Sequence, residues 1–124
     1  IEHRTGLYFA CDEIAEVLDK TGLSKQQKDE ILKIESELSI IARQGRAFGI
    51  HLVLATQRPD AAILNGQIRN NIDTRICGRA DNVLSQIILD NTDASDKIAK
   101  SSQGRFLTNS GKIFQAYWFD ENIL

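Results

Sequence analysis

The sequence predicts an α/β domain: a mostly parallel sheet flanked by helices, with a β-hairpin at its C-terminal end. Three observations point there. Two short apolar runs, Leu7–Cys11 and residues 50–55, each stop abruptly in polar residues. The stretch between them carries apolar residues at helical spacing. Near the end, Asn109-Ser110-Gly111 separates two further apolar segments. Strands that alternate with helical patterns imply crossover connections and a parallel sheet.

Leu7-Tyr8-Phe9-Ala10-Cys11 is bounded by Gly6 and by Asp12-Glu13. A short unbroken apolar run fits a strand buried on both faces. Ile14, Val17 and Leu18 follow as one helix face, ended by Thr21-Gly22. Ser24 is an N-cap, with Gln27 three residues on as in a capping box. Ile31, Ile34, Leu38 and Ile41 then form an apolar stripe. Lys28, Asp29, Lys33, Glu35 and Glu37 lie off that stripe and are expected on a solvated face. The helix is expected to reach Arg46, with Gly49 as its boundary.

Residues 50–55 form the second buried strand, which ends in Thr56-Gln57-Arg58-Pro59; Pro59 cannot continue a central strand. A loop and short helix over 60–71, a third strand over 74–78 and a helix over Asn82–Leu89 come next. In that helix Val83, Ile87 and Ile88 share one side. A short helix over 93–100 precedes the hairpin, whose strands span 104–108 and 112–119 around Asn-Ser-Gly.

With 15 Lys plus Arg against 17 Asp plus Glu, the net charge of −2 excludes a strongly basic nucleic-acid tail. It leaves room for a local binding surface. No apolar run approaches the ~20 residues of a membrane span, and no signal peptide is visible. Two cysteines, Cys11 and Cys77, make no disulfide framework, which favours a reducing, cytoplasmic setting. The chain holds no methionine and begins at Ile1, so we expect a segment of a longer protein.

In open parallel sheets, ligands bind outside the carboxyl ends of the strands. Here one strand ends in Asp12-Glu13 and the other in Thr56-Gln57. If the strands run parallel, adjacent strands about 4.8 Å apart let the two endings share one ligand. Asp-Glu after an apolar run suits a Mg²⁺-nucleotide site. A strand-end Asp holds the hard cation, and the Glu orients or deprotonates a water. A neighbouring amide reads the γ-phosphate. The plainer reading is that acids favour a helix N-terminus at such junctions.

Residues 49–59, Gly-Ile-His-Leu-Val-Leu-Ala-Thr-Gln-Arg-Pro, resemble the signature of FtsK/SpoIIIE-type DNA-translocating ATPases. So do the flanking Ala42-Arg43-Gln44-Gly45-Arg46-Ala47-Phe48, residues 66–76 and Ile88-Leu89-Asp90; the resemblance runs from Leu7 to Phe119. It implies a RecA-like P-loop motor core, of which residues 1–124 are the C-terminal portion. It makes Asp12-Glu13 the Walker B pair, with Asp12 for Mg²⁺ and Glu13 for water activation. Thr56 and Gln57 would contact the nucleotide, and Gln57 would sense the γ-phosphate of ATP. Family members form rings, expected here to be homo-hexamers on double-stranded DNA. In them an arginine from one subunit completes the next subunit's site, and Arg69 and Arg75 both lie in the matching region. Arg75, at a strand start, has a structural reading as well.

The departures matter too. The phosphate-binding loop, G-x-x-x-x-G-K-[ST], is absent; Gly111-Lys112 is followed by Ile113 in the hairpin. The segment alone is therefore expected to bind nucleotide negligibly and to show no ATPase activity. Its partners include the upstream part of the same protein, with any membrane attachment outside the chain. In such a core the loop's strand would lie between the sensor strand and the strand near Arg75. Its absence should split the sheet or expose an apolar edge, to be covered by other segments or by a second copy. Leu84-Ser85-Gln86 stands where chromosome-segregating relatives usually carry Asp-Ser-Arg, which leans toward relatives that serve conjugation.

Several residues have bland readings. His51, Cys11 and Cys77 fit a core; Tyr117, Trp118 and Phe119 fit a strand covering the sheet, although base stacking is an alternative. Arg43 and Arg46 fit helix-end cations as well as phosphate contacts. Three functions compete: a double-stranded DNA pump for conjugation or chromosome segregation, a type VII protein-secretion motor, and a non-catalytic ring module. Arg58-Pro59 favours the first over the second, and intact Asp12, Glu13 and Gln57 argue against the third.

Overall fold

The computed structural model describes residues 5–57, 60 and 63–123. The chain divides into two units, Ile1–Asp73 and Thr74–Leu124.

In the first unit, strand β1 (Leu7–Cys11) leads into helix α1 (Ile14–Leu18) and then the long helix α2 (Lys25–Gln44). Ser24 starts α2 as a full capping box. Its hydroxyl accepts from the Gln27 N–H, and the Gln27 side chain accepts from the Ser24 N–H. A 3-10 turn, Gly45–Phe48, finishes the helix, and Gly49 at φ +70° turns the chain into strand β2 (Ile50–Leu54). That left-handed backbone is open to glycine at no steric cost. Helix α3 (Gly66–Asn70) follows, capped by the Asn65 carboxamide oxygen accepting from Ile68 N–H at 3.0 Å.

β1 and β2 pair in parallel, from Leu7 opposite Ile50 to Cys11 opposite Leu54. The buried apolar side chains of this unit are Ile14, Ala15 and Leu18 of α1, Leu38 of α2, Ile68 of α3, and Leu64 in the segment before α3. The sequence stripe on α2 holds, with Leu38 buried and Ile31, Ile34 and Ile41 half-buried. Two expectations for this unit are corrected. Val17 is exposed, because α1 makes one short turn and buries positions 14, 15 and 18 instead. Glu35 is buried rather than solvated, because Lys20 bonds its carboxylate. The strands are also less buried than their apolar content predicts. Tyr8 is 69% and Phe9 51% exposed. β1 has β2 on one edge and no other strand partner among the described residues. The ring of Tyr8 stacks on His51 at 4.9 Å instead.

The second unit holds β3 (Ile76–Cys77), α4 (Asn82–Leu89), α5 (Asp93–Lys97), β4 (Arg105–Thr108) and β5 (Ile113–Gln115). The three strands form an antiparallel sheet in the order β3-β4-β5. This corrects the expected mostly parallel sheet: β1-β2 is the one parallel pairing among the described residues. β3 is shorter than 74–78 because its register partners are only Thr108 and Leu107 of the hairpin. The split into separate sheets is as expected.

Cys77, Leu89, Ala94, Ile98 and Leu107 form the core of this unit. The inward face of α4 is Ser85 and Leu89, and Val83 is exposed, contrary to the expected face. Ser85 is buried because its hydroxyl is satisfied twice: it donates to Asn91 O at 2.7 Å and accepts from Ala94 N–H at 3.1 Å. Asp90 ends α4 in the left-handed region at φ 60°, and its carboxylate meets the Arg75 guanidinium at 3.0 Å. The hairpin turns at Gly111 (φ +90°), as Asn-Ser-Gly predicts, but β5 stops at Gln115. Tyr117 is fully exposed and Trp118 83% exposed, so these aromatics do not cover the sheet. They lie past the last residue that β4 can pair, Arg105 with Gln115.

Candidate functional site

The parallel register brings two strand ends to one rim. Cys11 pairs with Leu54, so Asp12-Glu13 and residues 55–57 leave the sheet side by side. Backbone bonds clamp the exits together. Ala55 N–H donates to Cys11 O at 2.9 Å, and Ile14 N–H donates to Ala55 O at 2.9 Å. This is the juxtaposition that the apolar runs and their polar endings predict, and it does not need the strands to be buried.

Glu13 is the hub. Its carboxylate accepts from Thr56 Oγ1 at 2.5 Å and from Gln57 N–H at 3.0 Å. It also accepts from Ala15 N–H at 3.2 Å, which makes Glu13 the N-cap of α1. The plainer sequence reading, an acid at a helix start, is thus true of Glu13, and the same side chain also reaches across to the neighbouring strand's end. Asp12 is exposed at the same rim, as is Gln57; Thr56 is half-buried. Arg58 and Pro59, on which the expected exit from the sheet rests, lie outside the described residues.

The two arginines belong to other elements. Arg69 is on α3 in the first unit. Arg75 is in the second unit, immediately before β3. Its guanidinium donates to Asp90 at 3.0 Å, its N–H donates to Asn109 Oδ1 at 3.1 Å, and its carbonyl accepts from Asn109 N–H at 2.9 Å. Arg46 comes within 3.8 Å of Asp73, both exposed. His51 and Cys11 are half-buried; Cys77 is buried, and burial pushes its thiol up from the ordinary value.

A groove of about 550 Å³ lies away from the rim, between α2 and α3, lined by Glu35, Ser39, Asn65 and Asn70 among others. Sequence reasoning overlooked the pair that borders it: Lys20 with the buried Glu35, fifteen positions apart. No spacing rule links those two positions; an apolar-flanked Glu next to the helix stripe is the signal available. No described helix is long and apolar enough to cross a membrane.

No family model matches the chain. Curated relatives do. The chain is 32% identical over 96 residues to the DNA translocase FtsK of Haemophilus influenzae, covering 74% of this chain and 18% of that protein. It is 36% identical over 93 residues to the DNA translocase FtsK of Tropheryma whipplei, covering 72% and 12%. The chain thus spans less than a fifth of these relatives. Among solved structures, the pCW3 conjugation coupling protein TcpA, in its monomer form with ATPγS, superposes with a TM-score of 0.86 at 40% identity. That match covers 98% of this chain and 35% of the other. The cytoplasmic domain of the type VII secretion ATPase EccC of Thermomonospora curvata superposes with a TM-score of 0.69 at 24% identity, a likeness of fold alone. Together with the strand-end motif, these likenesses establish homology: the chain belongs to the FtsK/SpoIIIE family of DNA translocases.

Proposed function

We propose that residues 1–124 are the C-terminal portion of a RecA-like motor core that couples ATP hydrolysis to movement of double-stranded DNA. The observation that carries this reading is the shared rim, where Glu13 is bonded to both Thr56 and Gln57. In it Asp12 holds Mg²⁺, Glu13 is the general base, Thr56 and Gln57 contact nucleotide, and Gln57 reports the γ-phosphate.

The residues fit a Mg²⁺-nucleotide. Among the described residues no group of three or more His, Cys, Asp or Glu side chains is placed to hold a metal ion. One exposed carboxylate, Asp12, suits Mg²⁺, which keeps waters and takes its other ligands from phosphates. When bound, the cation would neutralise charge on the β- and γ-phosphates. The chain's own share is then positional. Asp12 presents an oxygen at the rim, Glu13 accepts a water proton, and the Gln57 amide donates to phosphate or orients that water.

The phosphate cradle would come from the upstream part of the same protein, and an arginine from the next subunit of a homo-hexameric ring. Arg69 and Arg75 are the candidates. Arg75 holds one end of its guanidinium on Asp90. The 40% identity to a conjugation coupling protein over 98% of the chain favours conjugative transfer over chromosome segregation. Protein secretion is less favoured, since the EccC likeness is weaker.

The test is Glu13→Gln in the full-length protein. ATP binding persists and DNA-stimulated turnover is abolished; normal turnover would sink the assignment. Stimulation of the parent protein by a secreted polypeptide and not by DNA would select the secretion reading.

A further inference from the structure

We infer that Arg79, Lys100 and Arg105 form a phosphate-binding edge of the second unit, and that its ligand is the backbone of duplex DNA. The inference rests on the DNA-moving reading above and names a surface that carries the contact. The three cations stand far apart in the sequence, and a net charge of −2 hides them. The fold gathers them. β3 and β4 pair with Cys77 opposite Leu107, a register that sets Arg79 opposite Arg105 two residues further on. A Cβ at Gly78 would meet the Phe106 ring at 3.3 Å, so the two segments stay adjacent past their last paired residues. Lys100 joins from the turn after α5, where its carbonyl accepts from Arg79 Nη1 at 3.0 Å.

All three residues are exposed. Among the described residues no ion pair to a carboxylate ties any of them down. Asp81, two positions after Arg79, has its carboxylate on the Leu84 N–H at 2.8 Å as the cap of α4. Like charges that face each other across two strands repel. An edge that holds two arginines and a lysine without an acid is therefore stabilised by an anion from outside. Its neutral neighbours suit the same ligand. Gln115 is the register partner of Arg105, and its amide donates to Gln103 O at 2.8 Å. Phosphate contacts draw on such amides alongside Arg and Lys, and they carry no sequence information. Of the two cations that the sequence offers for phosphate contact, Arg46 already has Asp73 at 3.8 Å.

The test is binding of the full-length protein to labelled duplexes of two unrelated sequences, read by fluorescence anisotropy from about 50 to about 200 mM salt. Arg79→Gln, Lys100→Gln and Arg105→Gln together flatten the slope of log affinity against log salt by about 2.7, or about 0.9 for each cation. Across that range the parent loses about fortyfold more affinity than the triple variant. Both sequences respond alike. Arg79→Lys with Arg105→Lys keeps the charge and keeps the parent slope. DNA-free turnover is the same in the parent and both variants. A triple variant with the parent slope overturns the inference. So does a lysine pair that loses slope, because charge is then not the cause. A triple variant that keeps the DNA slope but no longer binds phosphatidylserine vesicles assigns the edge to a membrane and overturns the inference too. Glu13→Gln keeps the failures apart, since E13Q binds duplex with the parent slope. If E13Q turns over normally, the rim reading falls and this edge stands. If the parent binds no duplex, the DNA reading and this edge fall together.

Discussion

In the first unit the residues with chemistry stand where two parallel strands end, on a sheet whose first strand is largely exposed. In the second, an antiparallel sheet and two helices close around Cys77, Leu89, Ala94, Ile98 and Leu107. Polar groups are used differently in the two. Ser85 is sealed, its hydroxyl spent on Asn91 and Ala94 within a fully buried site. Glu13 accepts from Ala15, Thr56 and Gln57 but stays only half-buried at a rim that solvent can reach. The difference separates a polar group closed into a core from one left at an accessible edge. It also explains how an apolar strand can be exposed: the rim geometry needs only the β1-β2 pairing, and further cover for β1 is a separate requirement.

Four substitutions or treatments probe that contrast. Glu13→Gln should cost about a thousandfold in turnover of the full-length protein, the middle of the range for a lost general base, with stability lowered by no more than about 2 kcal/mol for the one acceptor oxygen it loses. A comparable loss of stability would mean that Glu13 is chiefly a cap. Leu107→Ala should do the reverse, lowering stability by about 3 kcal/mol through a cavity in a fully buried site, read as a shift in urea midpoint. Ser85→Ala should cost about 2 kcal/mol, since Asn91 O and Ala94 N–H lose a buried partner together. A neutral result would show water entering that site.

The smallest effect concerns Cys77. Burial raises its thiol above the ordinary 9.0, so the native state holds the proton more tightly than the unfolded chain. The stability this adds is complete below the unfolded value and is lost as pH rises from there through the raised value. In the native protein Cys77 should react with iodoacetamide more slowly than the half-buried Cys11. Equal rates would show the second unit opening readily.

What was legible in the sequence was local. Ser24 and Gln27 are three residues apart and cap α2 as their spacing predicts, and Asn109-Ser110-Gly111 turns the hairpin. The rim was legible for a related reason: a strand end is a local signal, and parallel pairing of two such runs places both ends together. Features set by distant partners were not. Glu35 reads as one more charge on a solvated helix until Lys20 is placed against it. Ser85 lies off the expected Val83, Ile87 and Ile88 face, and its burial depends on bonds to Asn91 and Ala94. β3 reads as part of a parallel sheet because nothing in residues 74–78 says that the hairpin is its partner. Periodicity identifies an element and one face of it, but the pairing of non-local elements depends on which surfaces remain to be covered.

The claim at the centre is that Asp12, Glu13, Thr56 and Gln57 form half of a nucleotide site. A structure of the full-length protein with ATPγS and Mg²⁺ tests it directly. The account predicts Asp12 in the cation's ligand sphere or one water from it, and the Gln57 amide at the γ-phosphate. Nucleotide bound at any other surface, with this rim facing only solvent, would contradict it.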